Sequence, residues 1–317
     1  MAGPKILSAA RKALLRGSAP DPIAGWQWRP MADVKADLGM REVPSYITDN
    51  YGNFMLEQAE RAKRGDLGPR DLVKAYGITR SSVNRGARDI ADDLAQGSTR
   101  PEGYFSEWLM TPQGRKYLDA AQRGDVDTSA IADITQRFGT FGMAPTLGSD
   151  LEWAARNLPQ RSQDLSSAVL GSPEQWRDVV QSLHGIGPAK SGFLASMVGR
   201  GDMPTFDARQ IKLHTGQPSK EAGAHMRRVG AGDAAVDRLA QRQRELGLEL
   251  PEQFAPQYQH LTHHAVWDKV AGSKTTHDDV VRAMQRGSAT PGALAATAGG
   301  AGAAAAMVRL LRDKEGK

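Results

Sequence analysis

Asp207 and the Gly185-Ile186-Gly187 turn are the residues whose types and spacing point most directly to chemistry. Two glycines between helix-like segments make a tight hairpin. Its backbone N–H groups, with the N-terminus of the next helix, point outward and can hold a phosphate. Such contacts position a nucleic-acid backbone without reading its sequence. Lys190 and Ser191, one turn into the second helix, add a charge and a hydroxyl. Asp207 follows Gly187 by twenty residues (207 − 187) in Met-Pro-Thr-Phe-Asp-Ala-Arg. It reads as the start of a helix, where an Asp serves as an N-cap or dipole partner. Beside a phosphate-holding hairpin, the same carboxylate could stabilise an oxocarbenium-like sugar or activate a water.

The elements that must position these groups are legible nearby. Ser172-Pro173-Glu174-Gln175 reads as N-cap, N1 proline and capping-box partner. Trp176, Val179, Val180 and Leu183 then repeat at i, i+3, i+4 and i+7, one buried helix face. Pro188 opens the second helix, whose apolar residues are Phe193, Leu194, Met197 and Val198, and Gly199-Arg200-Gly201 stops it. From Gly185 to Gly230, seven Lys or Arg stand against three Asp or Glu, a local excess of four positive charges. The alternative reading is a helical hairpin without a ligand.

In type and spacing, Leu183, Gly185, Ile186, Gly187 and Asp207 resemble the signature of the helix-hairpin-helix DNA glycosylase superfamily, the group of endonuclease III, adenine glycosylase and oxoguanine glycosylase. The clear resemblance covers Pro173 to His214. It implies a mostly α fold of two helical subdomains flanking a DNA-binding cleft, spanning about residues 99–286. It further implies that Asp207 is an essential carboxylate and that a target nucleotide is flipped out of double-stranded DNA. Gly185, Ile186, Gly187, Ala189, Lys190, Ser191, Arg209 and Lys212 are the implied DNA contacts. Phe138, Phe141, Phe206 and His214 are candidates to stack on the flipped base.

The departures matter as much. Bifunctional members carry a Schiff-base lysine two residues after the second hairpin glycine, and Ala189 stands there. Lys190, the nearest amine and a second catalytic candidate, lies about 100° further round the helix. A monofunctional enzyme with water as nucleophile is therefore expected. Ala208, Arg209 and Gln210 after Asp207 are unlike the common repair enzymes, and the four-cysteine cluster of some members is absent.

The whole chain bounds these readings. It has 317 residues, a net charge of +5, 24% charged and 40% hydrophobic residues, which suits a globular protein with a mild preference for a polyanion. The absence of cysteine excludes disulfides, thiolate metal sites, iron–sulfur clusters and a cysteine nucleophile. Strand-like alternation is scarce and 3.6-residue periods recur, so a mostly α protein is expected. Residues 1–50 read as an irregular, basic arm, interrupted by Pro4, Pro20, Pro22, Pro30 and Pro44, with an amphipathic stretch from Lys5 to Arg16.

Residues 51–98 read as helical, and Asp71 to Arg85 as a helix-turn-helix. There Gly77 would end the first helix and Thr79 would cap the second, with Arg80, Ser81, Ser82 and Asn84 toward DNA. A packed helical hairpin is the commoner meaning of such a pattern. Tyr104, Phe105, Trp108, Leu109 and Tyr117 read as core, and Thr111-Pro112 as a helix start. Phe138 to Pro145 reads as a glycine-punctuated loop. His260 and His264, at i and i+4 with Asp268 a turn on, have a spacing that would suit a metal, but packing or surface roles are the commoner meaning, and no cofactor is expected. Residues 287–317 form an Ala/Gly-rich tail, too weakly apolar for a clear membrane span.

A monomer is expected, in the cytoplasm with the nucleoid. The N-terminal extension and the tail resemble modular bacteriophage proteins, for which a virion location would follow. The competing readings are a DNA-binding protein without catalysis and a structural or virion-associated protein.

Overall fold

The computed structural model describes residues 27–81, 101–138, 144–205, 207–217, 233–254, 258–271 and 278–286. Of the interpretable residues 73% are helical and none forms a strand. The expected all-α character is therefore observed. The basic stretch at 5–16, Phe141, Phe206, the second half of the helix-turn-helix pattern and the Ala/Gly tail lie outside the described residues.

In chain order the helices are α1 (Met31–Leu38), α2 (Ser45–Ile47), α3 (Asn53–Lys63), α4 (Pro69–Ser81), α5 (Pro101–Leu109), α6 (Pro112–Ala121) and α7 (Thr128–Phe138). They continue with α8 (Ala144–Leu170), α9 (Pro173–Val180), α10 (Pro188–Met197), α11 (Ala208–Thr215), α12 (Asp233–Leu246), α13 (Gln259–Ala271) and α14 (Asp278–Gln285). A π-helical turn, Thr48–Gly52, joins α2 to α3. Residues 31–50 are thus more ordered than the irregular arm expected from their prolines. Pro30 and Pro44 stand just before α1 and α2 and set their entry, as proline's fixed φ allows, and do not interrupt them.

Local signals explain several boundaries. Thr111 Oγ1 accepts from Gly114 N at 3.2 Å, with Pro112 at N1. Gly114 is required there, because a Cβ would stand 2.1 Å from the Trp108 carbonyl oxygen. Ser172 and Gln175 form the expected capping box of α9.

Two apolar clusters organise the packing. The larger runs from Val43 to Met284 and is centred on α4, α5, α6, α8 and α10, with Trp108, Tyr117, Phe105 and Trp176 among its buried side chains. The smaller joins Val34 and Leu38 of α1 to Leu213 of α11, Leu246 of α12 and Val266 of α13. Helix α13 belongs to both, since Leu261 and Ala265 face the larger cluster.

The helix-turn-helix expectation is corrected. Helix α4 runs unbroken through Gly77, Ile78 and Thr79. Thr79 lies inside this helix, and its Oγ1 donates back to the Ala75 carbonyl at 2.8 Å. Gly77 serves packing: a Cβ there would stand 2.6 Å from the Phe105 ring. Ser81 is buried against the Ile78 carbonyl and Arg80 is committed to an ion pair, so neither faces a groove.

Buried charges brace the same body. Arg61 pairs with Asp71 at 2.8 Å, both buried. Lys74 Nζ donates to the carbonyls of Met284 and Arg286 at the C-terminal end of α14, where a cation suits the helix dipole. Burial pushes the Lys74 ammonium down to about 8.

Candidate functional site

The hairpin between α9 and α10 buries Leu183 and Ile186 and exposes His184, Gly185 and Gly187. Gly185 has φ +67°, the left-handed turn conformation in which glycine is preferred. Gly187 differs: its backbone is extended and it is the N-cap of α10, followed by Pro188 at N1. Among the described residues, chain neighbours aside, no atom lies within 4 Å of where a Gly187 Cβ would be, so the approach to this helix start is open.

The hairpin is held to the C-terminal end of α4. Arg80 pairs with the buried Asp150 carboxylate at 2.7 Å and donates to the Gly185 carbonyl. The His184 ring nitrogen lies 3.3 Å from the other Asp150 oxygen. Tyr76 Oη donates to the His184 carbonyl at 2.8 Å, and Lys190 Nζ to the Thr79 carbonyl at 3.0 Å.

Beyond α10 the chain reverses at Gly199, whose φ of +91° brings it against the backbone of Gln58 and Ala59. It then passes under α10 and α13. A Cβ on Gly192 would stand 2.3 Å from the Pro204 carbonyl oxygen. His260 N donates to the Gly201 carbonyl at 3.0 Å, and His260 Nδ1 lies 3.2 Å from that of Met203. The segment leading to Asp207 is thus seated on the second hairpin helix and on α13.

Asp207 is the N-cap of α11. Its Oδ1 accepts from Arg209 N at 2.7 Å and from Gln210 N at 3.0 Å. Its Oδ2 lies 3.4 Å from His263 Nε2, and the side chain is 24% exposed. Burial pushes this carboxyl above its ordinary range, against the two backbone N–H groups and the Arg209 charge. Below it, Gln243 Nε2 donates to Gln210 Oε1 at 2.8 Å, and Gln210 Nε2 to the His263 carbonyl at 3.0 Å. The Arg209 guanidinium sits 4.0 Å over the Trp267 ring.

The α13 histidines form a buried aromatic group beside this carboxylate. His260 and His263 stack with centroids 5.4 Å apart, and His264 meets His260 edge-on at 4.7 Å. Tyr51 and Phe193 close the group against His260 at 6.0 and 6.4 Å. Burial pushes both His260 and His263 down to about 3, helped at His260 by His263 and at His263 by Arg209, so both rings are neutral at pH 7.

The expected site residues distribute as follows. Asp207, Gly185, Gly187 and the backbone of Ala189 and Lys190 stand on one continuous piece of chain, with Arg209 half-buried and Lys212 exposed on α11. Four expectations are corrected. Ser191 is buried, and its carbonyl accepts from Trp176 Nε1 at 3.4 Å; Ile186 turns its side chain into the core. Phe138 is fully buried against Phe105, so it is no stacking surface. His214 is buried at the far end of α11, between Trp28, Arg29 and Arg242, away from the Asp207 end. As for the metal spacing, Asp268 accepts from Tyr46 Oη at 2.8 Å, and no group of three or more ligating side chains able to hold a metal ion occurs among the described residues.

Sequence reasoning missed His263 as the neighbour of Asp207. The only signal was the run from Gln259 to Asp268, in which His263 falls outside the i, i+4 pair. No described helix is long and apolar enough to cross a membrane. Comparison with protein-family models, with curated proteins and with solved structures gave no match.

Proposed function

We propose that this protein is a monofunctional DNA N-glycosylase acting on a flipped-out nucleotide of double-stranded DNA, with Asp207 as its essential carboxylate. One observation carries the reading. Asp207 sits at a helix N-terminus, on a segment seated against the second hairpin helix, with Oδ1 fixed by two backbone donors and Oδ2 turned to His263. A carboxylate held this way is pre-aimed, which is what stabilising a developing cation requires.

The hairpin would hold a phosphate at the open start of α10, where Gly187 allows close approach. The N-glycosidic bond breaks with its electron pair leaving on the base, and the sugar C1′ becomes cationic facing Asp207 Oδ2. Water then adds to C1′ and gives up a proton, and the departing base gains one. Desolvation of Asp207 favours this role twice. It strengthens the field at C1′ and raises the basicity of the oxygen that receives the proton.

Two facts support the absence of a lyase step. Ala189 occupies the place of a Schiff-base lysine, and Lys190 Nζ is engaged at the Thr79 carbonyl. The smaller apolar cluster of α1, α11, α12 and α13 and the larger one around α8 are the natural candidates for two subdomains flanking a cleft.

A second reading, hairpin-mediated DNA binding without catalysis, is favoured by the ordinary N-cap bonds of Asp207 Oδ1. A panel of duplexes carrying uracil, oxoguanine, alkylated, mismatched and hypermodified bases separates the two. Base release without borohydride-trapped covalent complex is the expected outcome. Binding without release on every duplex would replace the first reading with the second.

A further inference from the structure

We infer that His263 is the positioning residue of Asp207, donating from Nε2 to Oδ2 and so fixing which carboxylate oxygen faces the substrate. The inference rests on the glycosylase reading only for what the carboxylate acts upon. The geometry stands apart from it.

Three observations lead there. Oδ1 is fully engaged by Arg209 N and Gln210 N, so Oδ2 is the oxygen left to do chemistry, and among the described residues His263 Nε2 at 3.4 Å is the side-chain group that meets it. His263 is buried, and its Nδ1 finds no hydrogen-bond partner among the described residues. That fixes the tautomer. With the proton on Nε2, the ring donates to the carboxylate and leaves only an acceptor unmatched. With the proton on Nδ1, a donor would be orphaned in the core and a lone pair would face a carboxylate oxygen. Finally, the ring cannot drift. His260 stacks on one side, His264 packs edge-on, and the His263 carbonyl is tied through Gln210 to Gln243.

Among the described residues the charged surroundings of Asp207 are simple. On α11, Arg209 is the charged neighbour that acts on Asp207, and it opposes the effect of burial. From α13 the facing groups are the neutral rings of His263 and His260. From α12 it is the uncharged Gln243, which reaches Gln210. Arg29, Arg242 and Asp37 gather at the opposite end of α11 around His214. Replacing the His263 donor therefore changes one hydrogen bond to the carboxylate and no net charge.

The test uses the full chain labelled with ¹³C at the aspartate carboxyl carbons, with the Asp207 signal assigned by its loss in Asp207→Asn. Its titration midpoint is followed by NMR in the wild type, in His263→Leu, which keeps the site filled but removes the donor, and in His263→Gln, which keeps an N–H near the same place. The Leu variant should titrate higher by about one pH unit or more, the size of one hydrogen bond to an ionised group. The Gln variant should return most of the way. An unchanged or lower midpoint in the Leu variant, or equal midpoints in Leu and Gln, overturns the inference. This readout needs no substrate, so the inference can fail while the glycosylase reading survives, and the reverse. Where base release is measurable, the acid limb of its pH profile should move with the NMR midpoint while KM stays constant.

Discussion

The hairpin base and the Asp207 pocket are both partly buried and polar, but they are built on opposite terms. At the hairpin base each polar group has a matched partner: Arg80 with Asp150 and the Gly185 carbonyl, Tyr76 with His184, Lys190 with Thr79. Around Asp207, burial raises a carboxyl, holds two histidines neutral, and leaves His260 Nε2 and His263 Nδ1 without hydrogen-bond partners among the described residues. Buried polar groups are ordinarily satisfied, and those that are not tend to mark function. The first region therefore supplies rigidity, and the second supplies perturbed chemistry at a cost in stability.

Acid should expose that contrast most strongly. His214, His260 and His263 are each held near 3 in the folded chain, against 6.5 when unfolded. The unfolded state binds more protons throughout that window. Stability is then full above pH 6.5 and is lost as pH falls toward 3, by up to ~1.4 kcal/mol per pH unit for each ring. Urea midpoints at pH 7.5 and pH 5 measure the slope, and His260→Phe and His214→Phe should flatten it. A midpoint that does not depend on pH would mean that the rings are not buried neutral.

Breaking the satisfied region comes next in size. Arg80→Ala takes the guanidinium away from the Asp150 carboxylate, which is 3% exposed and has the His184 ring nitrogen at 3.3 Å. A loss of about 3 kcal/mol in urea unfolding is expected, the cost of stranding a buried charge.

The two hairpin glycines give a finer contrast. Gly185→Ala forces a side chain into φ +67° and against Arg80, and should cost about 1–2 kcal/mol. Gly187→Ala meets no atom of the described residues beyond its chain neighbours and sits in extended backbone, so the melting temperature should hold while duplex affinity falls. Equal affinities for Gly187→Ala and wild type would remove the hairpin from the DNA contact.

Asp207→Asn should have the smallest effect on stability. Asparagine caps a helix about as well as aspartate, and the desolvated charge is gone. The raised carboxyl contributes stability that is full below pH 3.8 and lost as pH rises through its folded value. At pH 7 the variant should therefore be no less stable than the wild type. A marked loss would make Asp207 a structural cap.

How much of this was legible in the sequence follows from the range of each signal. The Ser172–Gln175 capping box, the Thr111–Pro112 start, the turn at Gly185 and the N-cap at Asp207 are set within three or four residues, and all appear as expected. Gly77 misled because a glycine marks either a turn or a close approach, and its sequence neighbours do not say that Phe105 will lie against it. Phe138 and His214 looked available for stacking because burial is a tertiary property. The pairing of Asp207 with His263 spans 56 residues (263 − 207), and no local pattern encodes it.

The most direct test of the central claim is single-turnover base release by Asp207→Asn beside the wild type, on whichever duplex the wild type opens, with duplex affinity measured on the same samples. A fall in rate of at least ~10²-fold at unchanged affinity is the expected result. Release by the variant at the wild-type rate would show that the Asp207 carboxylate does no chemistry.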